Sequence, residues 1–460
     1  MEKITYISED KSSFYSYLFN FIFSSLGIVG ERKDANHCDL YYGDKINNID
    51  CRFAIRQVES QSDELCKEIL NQFNEFSNEE GIFSKDLISS IGFFLKDMGN
   101  SELRSHDLDD FGRLKFKKSF QFRVGVSEIP VVNVYLSLIK ILFQRNLGIN
   151  GKSILPKGKH CAIGLSHDVD FPDKYARLDW PIFKRKANIK NLITNNALKP
   201  YLYFKRFLDK DPWDFWLFED IIAEEQRLGF TSTFFFSSIN SSNSYASSRD
   251  VVYDVQKEKF KKIFDILKEN DFEIGLHASY NAYKDQDRFI LEKGVLEDAA
   301  KCEIIGLRHH YWHMGPRTEN TLLMHEGAGF KYDSSLAFND NIGFRRNIAL
   351  PYYPWVDAIS RPINVMQIPV FCMDGNLFPK FDNSQDAFFE IKRYVDVIKK
   401  YNGIGIIDWH VRTSYPKNEE YWLWGETYSK VIKYLAKDSE IWTTNLKNIY
   451  NYIANKEAVL

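Results

Sequence analysis

Paired thiolates are missing from this chain. Its six cysteines, at positions 38, 51, 66, 161, 302 and 372 of 460, lie far apart and form no Cys-x-x-Cys, which argues against both a thiolate zinc site and a disulfide framework. Charge of one sign is missing too. A formal net charge of −3 gives no global reason to expect nucleic acid as a partner. The first apolar run, Tyr15 to Val29, is broken by Ser16, Asn20, Ser24 and Ser25 and is too short to span a bilayer. Met1-Glu2-Lys3-Ile4-Thr5 lacks the basic region of a signal peptide, so a cytoplasmic location is expected. There is no internal repeat and no low-complexity tract.

What is there belongs to a globular protein: 44% hydrophobic and 27% charged residues, in a chain long enough for two or more domains. Residues 1–150 read as a smaller α/β unit. Phe14, Tyr17, Leu18, Phe21 and Ile22 recur at helical spacing, and Cys38 to Gly43 reads as strand and turn. Residues 60–80 are acidic and helical in character, and Pro130 opens an apolar helix to about residue 145. The polar stretch Asn146 to Lys159, with Gly148, Gly151, Pro156 and Gly158, is the expected linker.

From residue 151 to 460 strand and helix patterns alternate. Strands are expected at 161–166, 232–236, 272–276, 303–307, 364–371, 405–407 and 441–443, with helices at 214–227, 253–269, 384–400 and 419–436. Repeated β–α units favour parallel strands and right-handed crossovers. The expected fold is therefore α/β: a distorted seven-stranded (β/α) barrel behind a smaller N-terminal α/β domain. One insertion, near 171–212, interleaves Lys184, Arg185, Lys186, Lys190, Lys199, Lys205 and Arg206 with Trp180, Phe183, Tyr201, Tyr203, Phe204 and Phe207. It reads either as a solvated lid or as a basic aromatic surface for an anionic glycan, a nucleotide diphosphate or a lipid headgroup, which would bring peripheral membrane contact.

Ionisable residues gather where the expected strands end. Ser166-His167-Asp168-Val169-Asp170 follows the first strand, His277 the third and Arg308-His309-His310-Tyr311-Trp312-His313 the fourth, while Asp408-Trp409-His410 ends a late one. Strand C-terminal ends are where α/β folds bind ligands. Imidazoles with a carboxylate form the ligand set of a catalytic divalent metal with an open water position, and Zn²⁺ is the expected ion.

These motifs, in this order, resemble those of the polysaccharide deacetylase superfamily, also called carbohydrate esterase family 4 or the NodB-homology domain. The resemblance covers about 160–450. Ser166 to Asp170 is similar to the family's Thr-Phe-Asp-Asp-Gly motif, His277 with Asn281 to His-x-x-x-His, Arg308 to Tyr311 to Arg-Pro-Pro-Tyr, and Trp409-His410 to the late histidine. Leu228 to Phe235 is similar to the second strand. Two departures mark a divergent branch: Asp-Val-Asp replaces adjacent aspartates, and Asn281 stands where the second histidine belongs.

By this resemblance Asp170 and His277 are metal ligands and Asp168 is the base, although the altered spacing leaves an exchange of the two aspartates open. His310, in place of a family proline, is inferred to replace the missing imidazole. Arg308 would hold Asp168 ionised, and His410 would be the acid for the leaving group. Tyr311, Trp312, Asn281 and Trp409 are the expected substrate contacts, and Asp408, Asp374 and Tyr332-Asp333-Ser334 candidate orienting groups. The function implied is removal of an acetyl group from an N- or O-acetylated sugar, nucleotide-sugar or lipid-linked glycan. Two alternatives stand beside it: a metal-dependent hydrolase of a small non-sugar amide, and a glycan-binding protein with a decayed site.

Overall fold

The structure, a computed structural model, describes residues 2–34, 37–45, 49–57, 82–83, 85–172, 215–240, 243–315, 318–416 and 421–457. The whole acidic 60–80 stretch and all but the first two residues of the basic aromatic insertion lie outside these residues.

The N-terminal unit is a parallel sheet of β1 (Lys3–Ser8), β2 (Val29–Arg32), β3 (His37–Gly43), β4 (Asp50–Arg56) and β5 (Ile82–Phe83), ordered β2-β1-β3-β4-β5. The expected first helix runs Ser13–Leu26. It starts where the Ser12 side chain accepts from Tyr15 N and stops at Gly27, whose φ of 63° is left-handed. The helix Val131–Leu147 follows Pro130 and ends at Gly148 (φ 73°).

The larger sheet contains β6 (Cys161–Val169), β7 (Thr233–Phe236), β8 (Glu273–Ala278), β9 (Gly306–His309) and β10 (Tyr332–Asp333). After a two-strand antiparallel pair, β11 (Trp355–Val356) and β12 (Arg361–Pro362), it continues with β13 (Met366–Gln367), β14 (Val370–Met373), β15 (Ile404–Asp408) and β16 (Ile441–Thr444). The order is β13-β10-β9-β8-β7-β6-β15-β14, all parallel, with β16 beside the first half of β6. The seven strands expected thus become nine segments. β10 is too short to show a period, and the expected strand 364–371 divides at Ile368–Pro369.

That division shapes the sheet. β13 pairs with β10 at one end of the order and β14 with β15 at the other, yet only Ile368 and Pro369 separate them. Two residues bridge only about 10 Å, so the sheet must curl until its ends nearly meet. Every residue of β6 is buried, as expected of a parallel strand covered on both faces. A Cβ at Gly164 would lie 2.4 Å from Ile406 Cδ1, so a larger residue there would have to push the Ile406 side chain aside.

The helices expected at 384–400 and 419–436 appear as Ser384–Lys400 and Trp422–Lys437, and those at 214–227 and 253–269 as Phe218–Arg227 and Glu258–Glu269. The two sheets are separate but share a core. One hydrophobic cluster runs from Ile4, Phe19 and Leu138 to Ala162, Ile404 and Leu446. Buried Asn133 ties the units together, its Oδ1 accepting from Ala349 N (2.9 Å) and its Nδ2 donating to Ala349 O (3.2 Å).

Candidate metal centre

Side chains alternate between the two faces of a strand, so residues two apart share a face. Ser166, Asp168 and Asp170 therefore point inward along β6, and the Asp-Val-Asp spacing keeps both carboxylates on one side. Arg308 in β9 and His310 just past it share the inner face, as do Asp408 at the end of β15 and His410 beyond it. Parallel pairing brings these ends together with His277 of β8. The residues between them point outward. His167 meets Trp409 O through Nδ1 and Glu225 Oε1 through Nε2, both at 2.8 Å, and His309 meets His325, Nε2 to Nε2, at 2.8 Å.

Asp170, His277 and His310 form a buried cluster whose candidate ligand atoms all lie within 4.8 Å of one another. His277 Nε2 is 3.5 Å from Asp170 Oδ1, and His310 Nε2 is 3.7 Å from it. His277 Nδ1 lies 3.1 Å from Arg308 O, where it donates and leaves the Nε2 lone pair facing the carboxylate. Asp170 Oδ1 and His277 Nε2 are both buried without a hydrogen-bond partner. Donors about 2.0–2.2 Å from a tetrahedral ion stand about 3.4 Å apart, close to these separations. A second polar link behind a ligating imidazole is also a feature of metal sites. The residues fit a divalent cation. Burial would raise the Asp170 pKa, but His310, His277 and His410 hold it well below the usual carboxylate range.

A second group adjoins the first. Arg308 Nη1 donates to Asp168 Oδ1 (2.9 Å), Asp408 Oδ1 (2.5 Å) and Ser166 Oγ (2.8 Å), while Nε donates to Ser334 O (2.9 Å). Its guanidinium lies 4.4 Å from the centre of the Phe235 ring. Burial opposes ionisation of Asp168, yet His277 and Arg308 lower its pKa, whereas burial raises that of Asp408 against the same arginine. His410 Nε2 lies 3.4 Å from Asp170 Oδ2, and its Nδ1 lies 2.8 Å from Asp374 Oδ1. Burial would lower the His410 pKa; the Asp374 carboxylate, against Arg412, raises it well above the ordinary imidazole value. Thr413 Oγ1 donates to the other Asp374 oxygen.

Asp168, Asp170, His277, His310 and His410 line a cavity of about 200 Å³ together with Phe171, Tyr311, Trp312, Asn339, Met373 and Arg412, while Arg308, Asp408 and Asp374 lie behind it. Tyr311 and Trp312, two of the expected substrate contacts, are among the residues lining this cavity. Two other expected contacts need correction. Trp409 is fully buried: alternation turns it outward against Phe378 and Tyr428, and its indole N–H donates to Thr413 O. Asn281 does not line the cavity, because the chain turns away after β8 into a short turn at Ala282–Lys284. His310 is the second imidazole beside His277. Sequence reasoning missed Arg412, whose Nη1 lies 3.5 Å from Asp170 Oδ2; its place two residues after His410 was an available signal. Asn339 and Met373 had none.

No family model matches the chain, and no curated protein matches it in sequence. Solved structures are similar to it in part. A protein assigned as a polysaccharide deacetylase from Mycobacterium smegmatis aligns over 66% of this chain and 93% of its own at 14% identity, with a TM-score of 0.45. Another so assigned, from Pseudomonas aeruginosa, aligns over 65% and 93% at 14% identity, TM-score 0.41. A 4-alpha-glucanotransferase from Thermococcus litoralis aligns over 64% and 40% at 11% identity, TM-score 0.38. At such scores the functional reading rests on the geometry of the site itself.

Proposed function

We propose that this chain is a metal-dependent hydrolase that removes an acetyl group from an N- or O-acetylated sugar in the assembly of a cell-surface polysaccharide. The observation that carries the reading is the facing pair Asp170 Oδ1 and His277 Nε2, buried and unpartnered at 3.5 Å, with a carboxylate and an imidazole of opposite proton affinity beside it. Asp170, His277 and His310 would hold the ion, with Zn²⁺ the choice for two imidazoles and a carboxylate. A bound divalent ion supplies Lewis acidity toward a carbonyl oxygen and lowers the pKa of water from ~16 towards ~7.

The chain's own groups divide the proton work. Asp168, kept ionised by Arg308, accepts the proton of the attacking water. His410, kept as imidazolium by Asp374, donates from Nε2 to the leaving nitrogen or oxygen. An amine leaves only with a proton, so an acid charged near neutral pH is required. The cavity of about 200 Å³ is smaller than the ~300–1,000 Å³ of a site that encloses a drug-sized ligand. It suits a small reacting group, with the rest of the substrate outside.

The test is metal analysis of the full chain, followed by acetate release from N-acetylhexosamine oligosaccharides. One equivalent of ion and ion-dependent acetate release are expected. Protein that neither retains nor takes up a divalent ion sinks the reading. Hydrolysis of small amides such as formamide, without acetate release from sugars, transfers it to a non-sugar C–N hydrolase.

A further inference from the structure

We infer that a hairpin finger of the N-terminal unit, residues 108–114, positions the turn that carries His310 and so completes the metal centre from outside the large sheet. This rests on the metal-site reading above.

The finger is closed by an antiparallel bridge between Leu108 and Leu114. Asp109 organises it: one carboxylate oxygen accepts from Phe111 N (2.9 Å) and Arg113 N (3.0 Å), and the other from Arg113 Nε (2.8 Å). With the guanidinium held on that side, its Nη1 reaches across to the far unit. It donates to Tyr311 O at 2.9 Å and to Asn339 Oδ1 at 2.7 Å. The Phe111 ring stacks on Tyr311 with centroids 4.7 Å apart and planes 16° apart, and the Arg249 guanidinium lies 4.6 Å from the Phe111 centroid.

The gripped turn needs a grip. Tyr311 and Trp312 have φ of 59° and 53°, a left-handed pair in bulky L-residues. Such residues stay there only where their surroundings hold them. His313 secures the far side, its Nδ1 2.7 Å from Tyr280 O and its ring stacked on Tyr280 at 4.0 Å. The near side has Arg113 and Phe111. His310 directly precedes this turn, its ring 4.4 Å from that of Tyr311, so the turn sets where His310 Nε2 points. Arg113 and Phe111 touch neither the ligand atoms nor the reacting groups, and they act as positioning residues.

The test measures Zn²⁺ affinity by chelator competition, the visible spectrum of the Co²⁺-loaded full-length protein, and the unfolding temperature of the metal-free protein. Arg113→Ala and Phe111→Ala should each weaken Zn²⁺ binding by ~10–100-fold, the usual loss when a ligand's support is removed, and alter the Co²⁺ spectrum. Metal-free unfolding should stay cooperative and within a few degrees of the wild-type temperature, because the two side chains belong to a short, partly exposed hairpin and not to a hydrophobic core. Phe111→Tyr keeps the stacked ring and should restore wild-type affinity. If Arg113→Ala does not fold, Phe111→Ala decides. Variants that bind Zn²⁺ as wild type and give its Co²⁺ spectrum overturn the positioning role while the metal centre stands. A wild-type protein that binds neither ion overturns the metal centre itself.

Discussion

Arg308 Nη1 donates to Asp168 Oδ1 across 2.9 Å in a fully buried contact. The same nitrogen serves Asp408 Oδ1, so one cation balances two carboxylates. Ionisation is divided unequally between them, with Asp168 favoured by the nearby His277.

Removing that cation should be costly. Arg308→Met leaves Asp168 and Asp408 buried without their shared cation, and a loss of about 3–5 kcal/mol is expected from urea unfolding. Adding Asp408→Asn should recover part of it. Arg308→Met at wild-type stability would show that the two carboxylates do not depend on Arg308.

The two aspartates should separate by experiment. Asp170→Asn and His277→Ala should lose the ion, whereas Asp168→Asn should retain it and lower kcat ~10²–10⁴-fold, the usual range for a general base. Metal content and turnover are measured on the same preparations. Loss of the ion in Asp168→Asn with retention in Asp170→Asn exchanges the two roles.

His410 must be protonated to act, so its raised pKa predicts an alkaline limb in kcat, while Asp168, which must be ionised, supplies the acid limb. Asp374 is the neighbouring charge that raises it. Asp374→Asn should therefore move the alkaline limb to lower pH, and His410→Ala should remove the limb and lower kcat by ~10²–10⁴-fold. An unmoved limb in Asp374→Asn would exclude His410 as its source.

Away from the centre, Glu292 accepts from Ser279 N and Oγ. Burial pushes its carboxyl up to about 7, with those hydrogen bonds opposing. A carboxyl raised on folding stabilises fully below its unfolded pKa of about 4.3, and that contribution fades as pH rises through the folded value. Glu292→Gln should abolish the fading and leave the variant more stable than wild type above pH ~7, by on the order of 3 kcal/mol. Urea midpoints at several pH values check this, and parallel pH profiles would refute it.

Much of the larger sheet was legible because a parallel strand buried on both faces is a run of apolar residues, as in Cys161 to Leu165. Strong amphipathic helices such as 384–400 were legible for the same reason: the period needs no tertiary partner. The Asp-Val-Asp spacing, His277 and His310 could also be read, since period-two alternation and strand ends decide which side chains share a pocket. By the same alternation Trp409 faces away, a consequence available in the sequence but not drawn from it.

Other features depended on contacts distant in the chain. Asn281 leaves the cavity because the backbone turns after β8. β13 and β14 are divided between opposite ends of the sheet by Ile368–Pro369. The finger carrying Phe111 and Arg113 reaches a turn some 200 residues away. The sequence by itself determined which residues could be apolar strand, amphipathic helix or strand-end ligand, because those properties are local and periodic. Tertiary structure alone decided which ligands meet and what holds them, because a buried carboxylate and imidazole are brought to 3.5 Å only by the packing of strands far apart in the chain.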